Sequence, residues 1–226
     1  GGSGDDLIQG GAGRDVLMGR SGNDWLRGQG GSDLISGGLG IDRIDGGRGV
    51  LLVEDFVSGV VVLENTGFST ERGDSLTTDN GRIARLELFG GDGDDVINAS
   101  AVTDFAVFLH GGAGNDVLLG GSQNDRVSGD AGDDTLVTGA GNDVVDGGDG
   151  SDLIQAQGGD DSVGGGLGDD TVDGGAGTST LREVADADIV VSGFGRFIAV
   201  TGLGTDEYLG TYRGAILIGG NGSNRI

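Results

Sequence analysis

Apolar residues return at every ninth position along two stretches of the chain. Over 111–173 they are Leu118, Val127, Leu136, Val145, Ile154, Val163 and Val172; over 1–45 they are Ile8, Leu17, Leu26, Ile35 and Ile44. A helix buries residues at a spacing of about 3.6 and a strand at a spacing of 2, so a spacing of nine is a tandem repeat. The unit reads G-G-x-G-x-D-x-U-x, with U the apolar residue. Its Gly-rich start predicts a tight turn and its last three residues a short strand with the eighth residue facing inward. A second unit supplies the return strand, so 18 residues complete one coil and units i and i+2 stack on one edge. The expected fold is all-β, a parallel solenoid.

Between the repeats the texture changes. The pattern divides the chain into a repeat block at 1–49, a strand-rich insert at 50–89, a second block at 90–182, a second insert at 183–218, and the start of a further repeat at 219–226. Strands are predicted at 60–63, 84–89, 106–110, 188–191 and 215–218, and a loop at 71–81. Residues 83–97 align without gaps on 212–226, an offset of 129, so the inserts look like two copies of one segment. They are expected to continue the stack of coils without metal. The chain begins inside a repeat, which reads as a segment or processed form of something longer.

The sixth position of the unit carries the chemistry. It is Asp6, Asp15, Asp24, Asp33 and Asp42 in the first block, then Asp95, then Asp116, Asp125, Asp134, Asp143, Asp152, Asp161 and Asp170. Ser179 and Asn224 stand at the acid position where the pattern decays. Stacked units i and i+2 place two such carboxylates beside one gap. Backbone carbonyls of positions one to four turn toward the same gap, as in Gly129, Asp130, Ala131 and Gly132, or Gly147, Gly148, Asp149 and Gly150. That donor set is all hard oxygen, which suits calcium better than magnesium and excludes a zinc site of Cys and His. Pairing every i with i+2 gives about nine ions.

Composition sharpens this. The chain holds 54 Gly, no Pro and no Cys among 226 residues, and its net charge is −24. Such acidity argues against nucleic acid and anionic membranes, whose binding needs Lys and Arg, and favours divalent cations. The absence of Pro and the period of nine exclude collagen. The longest apolar run is broken by Glu54 and Asp55, so no membrane span is expected. One buried aliphatic per nine ordered residues is too little to hold a coil closed against chain entropy and carboxylate repulsion. Metal binding is therefore expected to supply the folding energy.

These units resemble the hemolysin-type calcium-binding repeats of RTX proteins. Thirteen units keep the Asp and cover 117 of 226 residues. Arg20, Gln29, Gln123, Asp130, Thr138, Ala156 and Gln157 replace Gly at turn positions. The resemblance implies a parallel β-roll, type I secretion from a Gram-negative bacterium, and folding on external calcium. It implies nothing for the inserts.

Other candidates are thin. His110 is the single histidine and has no nucleophile context, so a turn or strand-end surface position is expected. The Gly-rich loops lack G-K-[ST] and are crowded with acids, which argues against nucleotide binding. Leu7, Val16, Trp25 and Leu34 at seventh positions should face outward, with Trp25 either plain surface or an anchor for a partner. No catalytic constellation emerges, and no enzyme is expected. The reading is a calcium-binding extracellular structural repeat protein, such as a rod, filament, surface layer or adhesin stalk, whose copies join head to tail. The alternative is a calcium-dependent secretion and folding module of an RTX toxin, protease or lipase.

Overall fold

The computed structural model describes the backbone of residues 1–56, 60–64, 67–70, 75–78, 82–184, 189–192, 195–200, 207–209 and 216–218, and side-chain surroundings for 1–48, 53, 76 and 83–181. Among these residues every regular element is a strand. No described helix is long and apolar enough to cross a membrane.

Stacking follows the repeat. Val117 pairs in parallel with Thr135, Thr135 with Leu153, and Leu153 with Thr171, each step being 18 residues. On the opposite sheet Phe108 pairs with Arg126, Arg126 with Val144, and Val144 with Ser162. In the first block Leu7, Trp25 and Arg43 form one ladder, and Val16 pairs with Leu34 on the other sheet. The fold is a parallel β-roll, two units to a coil.

Alternation along each three-residue strand settles which side chains are inside. Leu26, Ile35, Ile44, Leu118, Leu136 and Ile154 are wholly buried, and the eighth-position residues line a core one side chain wide. Each contributes about 1.5–3 kcal/mol by leaving water. Leu7, Val16 and Trp25 face outward as expected, and Leu34 is half-buried.

Position four shows why Gly recurs. Gly132 has φ 138°, and a Cβ there would run into the carbonyl oxygen of Gly114 in the coil below. Four of the substituted turn residues keep the left-handed conformation regardless: Arg20 at φ 85°, Gln29 at 73°, Asp130 at 72° and Gln157 at 64°. All four stand at position two, where the left-handed backbone angle is unfavourable for a residue with Cβ.

The segment 99–110 acts as the half-coil between Asp95 and the long block. Val96 pairs with Val117 and Leu88 with Leu109, both 21 residues on. The three additional residues are absorbed at a turn, where the Val102 N–H donates to the Ala99 carbonyl at 2.8 Å.

The first insert does join the stack, but not as further parallel coils alone. Val60–Glu64, Gly67–Thr70 and Ser75–Thr78 form an antiparallel meander. Its last strand pairs with Arg43–Phe56 and its first with Val96–Asn98, so it spans the gap on one sheet. On the other sheet Arg82–Asp92 alone links Arg43–Phe56 to Val107–Ala113. The predicted loop at 71–81 therefore contains a strand, Ser75–Thr78, whose Leu76 is buried. Polar Ser and Thr neighbours masked it, and pairing with Ile44 overrides that local signal. The strands expected at 188–191 and 215–218 are seen as Ile189–Ser192 and Ile216–Ile218. Residues 219–226, with Asn224, lie outside the described residues.

Candidate metal centre

At each edge of the roll the sixth-position carboxylates form a column inside the turns. Asp24, Asp33, Asp42, Asp95, Asp116, Asp134 and Asp152 are all at most 3% exposed. One carboxylate oxygen has a fixed task. The Asp116 N–H donates to Asp134 Oδ1 at 2.7 Å, and the Asp134 N–H to Asp152 Oδ1 at 2.8 Å. Asp6 with Asp24 and Asp95 with Asp116 repeat the contact at 2.8 and 2.7 Å. These Asp thus cap the peptide of the Asp one coil away, and Asp125 caps Val107 in the same way.

The other oxygen is left over. Oδ2 of Asp15, Asp24, Asp116, Asp134 and Asp152 is buried with no hydrogen-bond partner. A buried carboxylate oxygen without a donor costs several kcal/mol unless a cation or a proton neutralises it. Its surroundings make room for such a charge. A Cβ added to Gly129 would strike both Asp134 Oδ2 and the carbonyl oxygen of Gly147, and Gly111 stands in the same relation to Asp116 Oδ2 and the Gly129 carbonyl. Gly at position one keeps a carboxylate oxygen and a carbonyl oxygen facing one space. An oxygen-only cradle with unmatched negative charge fits a hard divalent cation, calcium foremost. Among the described residues no three His, Cys, Asp or Glu side chains converge, so carbonyls complete the donor set.

Sequence reasoning gave carbonyls of positions one to four equal standing, and the structure divides them. The Ala131 carbonyl accepts from Gly114 N–H at 2.9 Å, and the Asp149 carbonyl from Gly132 N–H at 2.7 Å. Position three is therefore engaged in coil-to-coil bonding, whereas Gly129 and Gly147 present carbonyls beside the acid column. Gly132 and Gly150 form the tight turn, while Asp130 and Gly148 carry the ladder across the edge. The Asp130 side chain faces away from the column and accepts a hydrogen bond from Ser128 Oγ at 2.7 Å.

The field in the column follows from burial and like charge. Burial pushes the Asp134 carboxyl up to about 7; the Asp116 N–H opposes this, and the Asp116 and Asp152 charges add to it. Burial likewise raises Asp116, Asp125, Asp152 and Asp161, and raises Asp143 to about 6.

A second ladder escaped sequence reasoning. Fifth-position side chains accept from the fifth-position N–H one coil away: Asp5 from Asn23, Asn23 from Ile41, Asn115 from Asp133, and Asn142 from Asp160, at 2.8–2.9 Å. The signal was the excess of Asn and Asp at a position open to solvent. It locks the outside of each turn as the acid column locks the inside.

His110 sits within the strand Val107–Ala113 rather than at a turn or strand end. It is half-buried, stacks on Phe89 at 4.6 Å, and pairs with Glu87 at 3.2 Å. Trp25 lies between Arg27 and Arg43, with ring-to-guanidinium distances of 4.9 and 5.0 Å.

A parallel roll with carboxylates stacked inside both turns is a cation-binding solenoid. The sequence profile of the RTX calcium-binding nonapeptide repeat matches residues 1–35, 18–50, 87–106, 110–145 and 146–181. Those matches span more than half of the chain, and the chain belongs to that family. Among solved structures it is similar to the extracellular lipase LipA from Serratia marcescens, at 22% identity and a TM-score of 0.24. The likeness covers 80% of this chain and 31% of the lipase, so the chain spans less than a third of that protein. No curated protein matches.

Proposed function

We propose that the chain is a calcium-rigidified structural segment of an extracellular or cell-surface protein, without catalytic activity, that folds when it binds calcium. The observation behind this reading is the buried Oδ2 row of Asp116, Asp134 and Asp152, which no protein donor meets. Calcium would supply the missing positive charge there, held by those carboxylates and by carbonyls such as Gly129 and Gly147. The chain's own residues do the rest: Gly opens the cradle, the peptide N–H groups fix one oxygen of each Asp, and the aliphatic row sets the register. About nine ions, as counted from the sequence pairs, would offset most of the net charge of −24.

A stalk, filament or surface-layer role accords with a stack of coils built from one repeated unit. Copies that associate in calcium belong to that role, and light scattering across a concentration series tests it. A secretion and folding module carried by a toxin, protease or lipase is the other assignment, decided by whether the parent sequence holds such a catalytic domain.

The central test is circular dichroism of the metal-free chain titrated with calcium. The β signal should rise cooperatively near about 10⁻⁴–10⁻³ M and vanish with chelator. Magnesium should substitute poorly because it surrenders water reluctantly. A metal-free chain that already shows the full β signal at neutral pH would refute the reading.

A further inference from the structure

We infer that the second repeat block holds calcium along one edge only. The inference rests on the calcium reading above and departs from the sequence expectation that both edges are equivalent. One edge carries Asp116, Asp134 and Asp152; the other carries Asp125, Asp143 and Asp161.

On the first edge position one is Gly throughout, at Gly111, Gly129 and Gly147. The strands Arg126–Ala131 and Val144–Asp149 run through its turns, so the ladder continues past the acids. Oδ2 of all three acids lacks a protein partner.

The second edge departs from this pattern. Its strands, Thr135–Val137 and Leu153–Gln155, stop before the turn. Position one is Gly120 in the first unit but Thr138 and Ala156 in the next two, both wholly buried, so side-chain carbon stands where Gly129 leaves a carboxylate oxygen and a carbonyl oxygen facing each other. The Thr138 hydroxyl donates to the Ala156 carbonyl at 3.1 Å, so that carbonyl is already taken, and the side chain lies beside the Asp143 carboxylate, whose Oδ2 has no hydrogen-bond partner. Asp125 Oδ2 accepts the Gly121 N–H at 2.7 Å, and Asp161 Oδ2 accepts the Ser179 hydroxyl at 3.2 Å. In the Asp125 turn Gly121 and Gln123 also lie outside the left-handed region, whereas Gly139 and Gly141 of the Asp143 turn, at φ 95° and 132°, match Gly112 and Gly114 on the first edge, at 104° and 125°. Ser179 ends the column with a neutral group.

An ion enters where oxygen is exposed to it and unmatched. On the second edge protein donors already serve Asp125 Oδ2, Asp161 Oδ2 and the Ala156 carbonyl, and the unpartnered Asp143 Oδ2 has the Thr138 side chain beside it, so an ion would have to break these bonds or displace the Thr138 and Ala156 side chains. Thr138 and Ser179 thus put hydroxyl groups, and Ala156 a methyl group, where the first edge leaves room for metal. The roll is calcium-clamped on one side and metal-free on the other.

The experiment counts calcium bound at saturation, by equilibrium dialysis and elemental analysis, on the full chain and on D134N, D143N and D161N. Asn preserves the Oδ1 acceptor, and circular dichroism in calcium checks folding. D134N should bind fewer ions than the unaltered chain; D143N and D161N should bind as many. Fewer ions in folded D143N or D161N overturns one-sidedness, even if D134N does not fold. An unaltered chain that binds no calcium refutes the calcium reading itself, a separate outcome.

Discussion

The peptide N–H of Asp116 donates to Oδ1 of Asp134 at 2.7 Å, across one full coil of 18 residues. The contact assigns one carboxylate oxygen to the protein and leaves Oδ2 for an ion. Replacement of Asp134 by Asn keeps the acceptor and removes the charge. D134N should therefore retain the roll at high calcium but require roughly tenfold or more calcium to reach half its β signal. D134A, which also loses the cap on Asp116, should fall further. A calcium titration followed by circular dichroism compares the three, and equal midpoints for D134N and the unaltered chain would contradict the assignment.

Backbone strain predicts a gain. Gln29 holds φ 73° at position two of its unit, where most units have Gly. A left-handed angle costs a residue with Cβ roughly 1–2 kcal/mol, and Gly is freed of it at a smaller loss of chain entropy. Q29G should be more stable in calcium by up to about 1 kcal/mol, or a few degrees in melting temperature for a chain this size. A lower melting temperature in saturating calcium would show that the Gln29 side chain compensates for its backbone.

Leu136 is wholly buried, paired in register with Leu118 below and Ile154 above. With a core one side chain wide, no neighbour can swing in to fill a void. L136A should cost about 2–5 kcal/mol in the calcium-bound state. By contrast Trp25 is 36% exposed and held by Arg27 and Arg43 from the side, so W25A should cost only about 1–2 kcal/mol. Thermal melts in saturating calcium rank the two, and a larger loss for W25A would place the stabilising contacts on the outer face.

Much of this was legible because one residue at one position did one thing. Asp at position six, an aliphatic at eight and Gly at four map directly onto column, core and turn, and the step of 18 follows from two units per coil. What sequence hid was cooperative or relational. The fifth-position ladder needs a partner a coil away before Asn23 or Asn115 acquires meaning. The strand Ser75–Thr78 looks like loop until Ile44 is beside it. The difference between edges hangs on Thr138 and Ala156, which read in sequence only as imperfect Gly positions and in space fill a cradle.

The acid columns also make the metal-free chain sensitive to pH in an unusual direction. Burial raises Asp134 to about 7 and Asp143 to about 6, whereas an Asp of the unfolded chain titrates near its ordinary value of 3.8. Between those values the folded state binds more protons than the unfolded one, so stability falls as pH rises. Below about pH 4 both states are protonated and the advantage is full; above about 7 it is gone. Protons should thus stand in for calcium. The metal-free chain in chelator should gain β signal as pH is lowered from about 7.5 to 5. Calcium should act oppositely: its binding displaces protons, so the calcium midpoint should move to higher concentration as the medium is acidified. Circular dichroism at low chain concentration, kept dilute because the isoelectric point is near 4.1, measures both. If acid leaves the metal-free chain as unstructured as neutral buffer does, the cost of burying ionised carboxylates in the columns is not what keeps it open, and ordering of the Gly-rich turns is the larger barrier.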